Sequence, residues 1–331
     1  MKRATIWFMG FSLFIVALGF SVYYSYQVYQ GHKIISGIYQ QDVAGPAPYR
    51  IVVIGEEIGN PFWSIFKQGA FPVAEQHGVD LEFWGTLRPN SEEMIKNMEI
   101  AIASNVDGII VQAVAHPDFS RLILLKASAA GIPVITAASD MPAGPEALRK
   151  TYVGSDHFQE GVRMGEHVAA QMNGYGKLGI IMGRTNVSNQ ALRLEGLRQV
   201  LEQYPEFEVI ENRPEELDAE QDVMAGIRAL LNEHPDCKVF IGLSSESGEK
   251  IVEAIKRRAR IEPYGIYFFD DNMETVSLVR DGTADGAVIQ NPEEMGRKSV
   301  ELMLRWLEGV HIPLPDVYHT PFELITDGEA M

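Results

Sequence analysis

Cysteine is nearly absent from this chain. Cys237 stands alone among 331 residues, so no intrachain disulfide can form and metal sites needing several thiolates are excluded. One cysteine fits the cytoplasm, and equally the extracytoplasmic proteins that do without disulfides, so compartment must be read elsewhere. Bases are scarce too: 45 acids face 28 bases, a formal charge of −17. Such a surface repels phosphate backbones and anionic lipid, which argues against a nucleic-acid partner. The one basic cluster, Lys256-Arg257-Arg258-Ala259-Arg260, falls where a helix should end, and cations there complement the helix dipole.

Catalytic signatures are missing as well. The sequence has no GxSxG elbow, no HExxH pair, no Walker phosphate loop and no EF-hand loop, and its eight histidines lack metal-ligand spacing. Gly174-Tyr175-Gly176-Lys177-Leu178-Gly179 matches GxGxxG, but its glycines precede a strand instead of following one. It reads as a helix-to-strand turn, and no cofactor is expected. Asp270 and Asp271 with Glu274 suggest either a hard-cation site or a strand-end turn. Asn186-Val187-Ser188 is a glycosylation sequon whose relevance depends on the host.

What is present begins with an uncharged run. No charged residue lies between Arg3 and His32, and Ala4–Tyr24 supplies 21 mostly apolar residues. At 1.5 Å per residue that is long enough to span a bilayer. Lys2 and Arg3 before it place residues 1–3 in the cytoplasm and the bulk outside, with Tyr23, Tyr24 and Tyr26 at the outer interface. The apolar stretch exceeds a signal-peptide core and no small-x-small cleavage site follows, so a retained single-pass anchor at the cell membrane is expected. Residues 25–49 read as a polar stalk ending in Ala44-Gly45-Pro46-Ala47-Pro48.

From Arg50 onward, short β-branched runs alternate with amphipathic stretches of helical length. Strands are predicted at Ile51–Ile54, Val79–Phe83, Gly108–Val111, Pro133–Thr136, Thr151–Val153, Lys177–Met182, Glu208–Ile210, Val239–Ile241, Ile266–Phe269 and Gly286–Ile289. Asn60-Pro61, Asn90-Ser91, His116-Pro117 and Asn291-Pro292 mark helix starts. This alternation calls for parallel sheets covered by helices on both faces. Two such runs, about 50–155 and 177–289, predict an α/β fold of two doubly wound lobes. Ligands of such sheets meet the loops at the strands' carboxyl ends.

Polar and aromatic residues collect at those ends. Asn60, Phe62 and Trp63 follow the first strand, Gln112 the third, Asp270 the Tyr267-Phe268-Phe269 run and Gln290 the Ala287-Val288-Ile289 run. Sugars stack their C–H faces on flat rings while in-plane amides and carboxylates take their hydroxyls. Phe62 and Trp63 either present such faces or pack into the lobe core.

The segments IVVIGEEIGNPFW, DGIIVQAV, GIPVIT, YVGSDHFQEGVRMGEHVA, ALRLEGL, FFDDNMETVSLVRDG and VIQNPEEMG resemble the type I periplasmic sugar-binding proteins, relatives of the lac-repressor effector domains. The resemblance covers everything from about Arg50 onward. It implies a hinge and an inter-lobe cleft, with the chain crossing near Ser155, near Gln290 and after about Val310. The N-terminal lobe is then 50–155 plus 290–310, and the C-terminal lobe 156–289 plus 311–331. Asn60, Phe62, Trp63, Asp270 and Gln290 coincide with sugar-contacting positions of the family; Gln112 and Ser244 stand where asparagines are usual. After Val134-Ile135-Thr136 the family carries an Asp-Arg pair. Here Asp140 substitutes across a longer loop and the arginine is missing, while the family's ligand arginine falls on Ala191 and Arg193 matches a structural one. Losing two cationic forks points away from ribose itself, towards another sugar, a deoxy sugar or a polyol.

The resemblance implies a solute receptor that closes on its ligand and is read in the membrane by an ABC permease or a two-component sensor kinase. A retained anchor favours the kinase. The competing reading, a hydrolytic or sugar-modifying enzyme of the same α/β class, needs a nucleophile–base pair or cofactor loop that the sequence does not supply.

Overall fold

The computed structural model describes residues 49–141, 148–183, 188–212, 220–258, 264–269 and 273–326. The expected anchor, Ala4–Tyr24, and nearly all of the stalk lie outside the described residues. Among the described residues no helix is long and apolar enough to cross a membrane.

Strand-forming apolar runs build two six-stranded sheets. The first lobe orders its strands β11-β5-β4-β3-β1-β2, with β1 Arg50–Gly55, β2 Asp80–Gly85, β3 Gly108–Val111, β4 Val134–Ala137, β5 Tyr152–Gly154 and β11 Val317–His319. The second orders β12-β10-β9-β8-β6-β7, with β6 Tyr175–Ile181, β7 Glu206–Asn212, β8 Val239–Gly242, β9 Gly265–Phe269, β10 Gly286–Ile289 and β12 Glu323–Thr326. All pairings are parallel except β10 with β12. β3 and β4 are buried at every residue, the condition of strands covered on both faces.

The helices between them start where capping residues stand. Asn60 caps α1 (Pro61–Gln76), Asn90 caps α2 (Ser91–Ala103) and His116 caps the short α3 (Pro117–Arg121), which runs into a π-helical turn at Leu122–Ala127. In the second lobe lie α4 (His157–Gln171), α5 (Ser188–Leu201), α6 (Glu220–Glu233), α7 (Ser245–Lys256) and α8 (Met273–Arg280). Each side-chain cap satisfies a backbone N–H that the first helical turn leaves open, worth about 1 kcal/mol.

Helix α9 (Pro292–Leu307) follows β10 of the second sheet yet belongs to the first lobe, where Met295, Val300 and Met303 pack with Phe66 and Ala70 of α1. The two helices approach until backbones touch. A Cβ on Gly69 would collide with the Glu293 carbonyl, and one on Gly296 with that of Phe66. The second lobe repeats the device: Gly161 of α4 lies against the Arg193 carbonyl of α5, and Gly196 of α5 against that of Phe158.

The chain therefore passes between lobes at Ser155–Asp156, at Gln290–Asn291 and between β11 and β12. The last passage lies later than the expected division after Val310. Val317–His319 joins the first sheet because β5 otherwise exposes an unpaired edge: Tyr152 donates its N–H to the Asp316 carbonyl and Thr320 donates to that of Gly154, at 3.0 and 2.9 Å. The GxGxxG run spans the turn from α4 into β6, with Gly174 and Gly176 at φ of 77° and 116°.

Candidate ligand cleft

Because the strands are parallel, their carboxyl ends share one edge of each sheet. Gln112 and Gln290 are the residues immediately after β3 and β10, Asp140 follows β4, Ser244 follows β8, and Asn60 closes the loop leaving β1. Asp270, with Asp271 and Asn186, lies outside the described residues.

In the first lobe the loop after β1 is held by its own neighbours. The Glu56 N–H donates to Gln112 Oε1 at 2.9 Å, and the Trp63 indole donates to the Glu56 carbonyl at 2.7 Å. Asn90 closes the loop with an N–H to Glu56 Oε1 at 3.1 Å. Asn60 spends its oxygen capping α1, accepting from the Phe62 N–H at 3.0 Å. Both amides thus fix their oxygens on backbone donors. Their NH2 groups have no partner among the described residues, leaving two neutral donors at one sheet edge.

The two rings diverge in role. Trp63 is a core residue, 3% exposed, with its indole pressed against Gly55 and its ring packed 5.2 Å from Phe66. Helical spacing explains this: Trp63, Phe66 and Ala70 occupy one buried stripe of α1. Phe62 is half-buried and stands edge-on to Trp63 at 5.3 Å.

Asp140 has no arginine beside it in sequence, but a distant one holds it. Arg149, whose side chain is 2% exposed, grips it with Nε to Oδ1 at 2.7 Å and Nη2 to Oδ2 at 2.6 Å, and Thr136 Oγ1 donates to Oδ1 at 2.7 Å. Burial opposes the charge on Arg149, but its bonds to Asp140 and Asp316 prevail and its pKa is raised.

In the second lobe Ser244 caps α7 through a reciprocal pair with Ser247, which occupies its hydroxyl. Gly183 leaves room there: a Cβ on it would lie 3.2 Å from Ser244 Oγ and 3.3 Å from Gln190 Nε2. Arg193 is wholly buried, donating to Glu160 Oε2 at 2.8 Å and the Leu243 carbonyl at 2.9 Å, with its guanidinium 4.8 Å from the Phe269 ring centre. This is the structural arginine that the resemblance implies.

Glu160 is the hub of a network that sequence reasoning missed. Its Oε2 also meets His157 Nδ1 at 3.1 Å, and its Oε1 accepts from Gln290 Nε2 at 3.0 Å. His157 Nε2 lies 3.2 Å from Tyr152 Oη and 3.1 Å from the Ala138 carbonyl. The cluster joins the first passage, the second passage and the turn after β4. Burial opposes ionisation of Glu160, yet Arg193 and His157 outweigh it and hold the carboxyl well below the usual carboxylate range. Burial, with the Glu160 charge, pushes the Tyr152 phenol well above its ordinary value. A further contact between the lobes joins Ser188 Oγ, which donates, to the Asp140 carbonyl at 2.9 Å.

Comparisons with known proteins agree with this architecture. The chain is 29% identical to a glucose-galactose binding protein from Geobacillus stearothermophilus, over 85% of this chain and 98% of that one, with a TM-score of 0.77. It is 26% identical to a chain of the XylFII–LytSN complex, covering 86% of this chain and 100% of that one at a TM-score of 0.75. The ribose import binding protein of Salmonella typhimurium is 22% identical over 78% of this chain and 85% of its own length. The first and the last of these are named as binding proteins. A family model described as a periplasmic binding protein domain matches residues 51–310, and the chain belongs to that family.

Proposed function

We propose that this protein is a membrane-anchored extracytoplasmic receptor that closes its two lobes over a small sugar or polyol. The observation carrying the reading is the convergence of polar side chains on the carboxyl ends of both sheets. Asn60 and Gln112 bring amide NH2 groups with no partner among the described residues, Phe62 a half-buried ring, and Ser244 and Gln290 stand on the facing lobe. Asp270 is proposed to accept hydroxyls there, and Asp140 to shape the wall. Neutral amides and a hydroxyl suit an uncharged polyol better than an anion.

The Ala4–Tyr24 run supports a retained anchor, and the likeness to a chain of the XylFII–LytSN complex supports a sensor kinase as the partner that reads closure. An ABC permease is the second reading, favoured by the likeness to the ribose import binding protein.

A thermal-shift screen of the purified protein against monosaccharides, disaccharides, polyols and amino acids tests the ligand class. A ligand at one hundred times its Kd stabilises by about 2.7 kcal/mol, and Asp270→Ala should abolish the shift. A response to amino acids alone would refute the sugar reading. Pull-down of the full-length protein separates the partners, according to whether a kinase or a permease accompanies it.

A further inference from the structure

The Asp140 carboxylate is not bare at the cleft; it is turned back into its own lobe. Thr136 and two nitrogens of Arg149, Nε and Nη2, occupy it, and the third, Nη1, reaches the Asp316 carbonyl and Oδ1, each at 2.8 Å. Asp316 immediately precedes β11, the strand leading into the last passage between lobes. Arg149 therefore ties the turn after β4 to that passage, across 167 positions of sequence.

The same turn is fixed from three other sides. Ala138 is left-handed at φ 64°, its carbonyl faces His157 Nε2 and the Tyr152 hydroxyl, and the Ser139 carbonyl accepts from the Ala113 N–H at 3.2 Å. Fixing the turn leaves the Asp140 carbonyl aimed at the other lobe, where the Ser188 hydroxyl at the start of α5 meets it.

We propose that Arg149 is a positioning residue for lobe closure, and that the bond from Ser188 Oγ to the Asp140 carbonyl is a cross-cleft latch favouring the closed form before ligand arrives. The inference rests on the two-lobed receptor reading, though its test requires no ligand. A guanidinium is needed because only a planar fork holds both carboxylate oxygens while a third nitrogen reaches Asp316; lysine offers one point charge.

Spin labels on Lys96→Cys of α2 and Glu202→Cys beyond α5 report inter-lobe distance in the full-length, ligand-free protein; Cys237 is buried and stays unlabelled. Ser188→Ala removes the latch donor without touching Arg149 or its partners. It should lower the closed-to-open ratio by about two- to tenfold, the effect of one hydrogen bond. Arg149→Lys should shift the distances in the same direction, and adding Ser188→Ala to it should open the lobes no further. A closed fraction that Ser188→Ala leaves unchanged overturns the latch. Independent, additive opening by the two variants overturns the positioning role, because Arg149 would then act only on general stability. If no sugar stabilises the wild-type protein, the sugar reading fails while the ligand-free distances still decide this proposal.

Discussion

Replacing Glu160 by glutamine is the sharpest probe of the buried cluster. Glutamine keeps the shape but cannot carry the charge, and its amide nitrogen must confront one of the donors that Glu160 accepts from: Arg193, His157 or Gln290. Arg193, with no exposed surface, then loses the Glu160 carboxylate that faces its buried charge. Removing one member of a buried pair costs about 3–5 kcal/mol. With about 2.1 cal/mol/K of unfolding entropy per residue, the Pro48–Met331 unit loses roughly 0.6 kcal/mol per degree, so Tm should fall by about 5–8 °C. The pH dependence carries the sign. Glu160 has a lower pKa folded than unfolded, so its contribution is complete above its ordinary value of 4.5 and fades as pH drops below that. The gap between wild type and Glu160→Gln in calorimetry should therefore be constant from pH 7 to about 5 and narrow towards pH 3. Parallel pH curves for wild type and Glu160→Gln, or a Tm change under about 1 °C, would refute the ionised-pair account.

Two further outcomes follow from packing and burial. Gly69→Ala should cost about 1–3 kcal/mol, seen as a Tm drop of about 2–5 °C, because the new methyl meets the α9 backbone, which no rotamer change can move. Cys237, fully buried and with its thiol pushed up to about 11 by burial, should react with a thiol reagent at pH 8 only as fast as the chain unfolds; rapid labelling under native conditions would contradict its placement.

The strands and helix starts were legible because their causes are local. Continuous apolar runs such as Gly108–Val111 suit strands covered on both faces, and Asn60-Pro61 or Asn291-Pro292 supplies a capping side chain followed by a favoured first helical residue. What sequence reasoning missed depends on distant partners. Glu160 meets Arg193 and Gln290 at separations of 33 and 130 positions, and nothing adjacent to it foretells either. Arg149 was not legible as the partner of Asp140 because it stands nine positions further along the chain instead of beside the acid. The Trp63 ring was ambiguous in isolation, and the helical stripe it shares with Phe66 and Ala70 decided the matter. The late passage at Thr320 was hidden because Val317–His319 is a three-residue edge strand with no pattern of its own.

That late strand also dictates when each lobe can be finished during synthesis. The first lobe is opened by β1 but lacks α9 and its β11 edge until residue 319 has left the ribosome, whereas the sheet of the second lobe lacks only β12 by residue 289. A chain emerging from its N-terminus would ordinarily fold its leading domain first. Here the leading lobe must wait with the α1 face that receives α9 uncovered, and nascent-chain truncations ending near residue 290 should bind chaperones more strongly than those ending beyond 326.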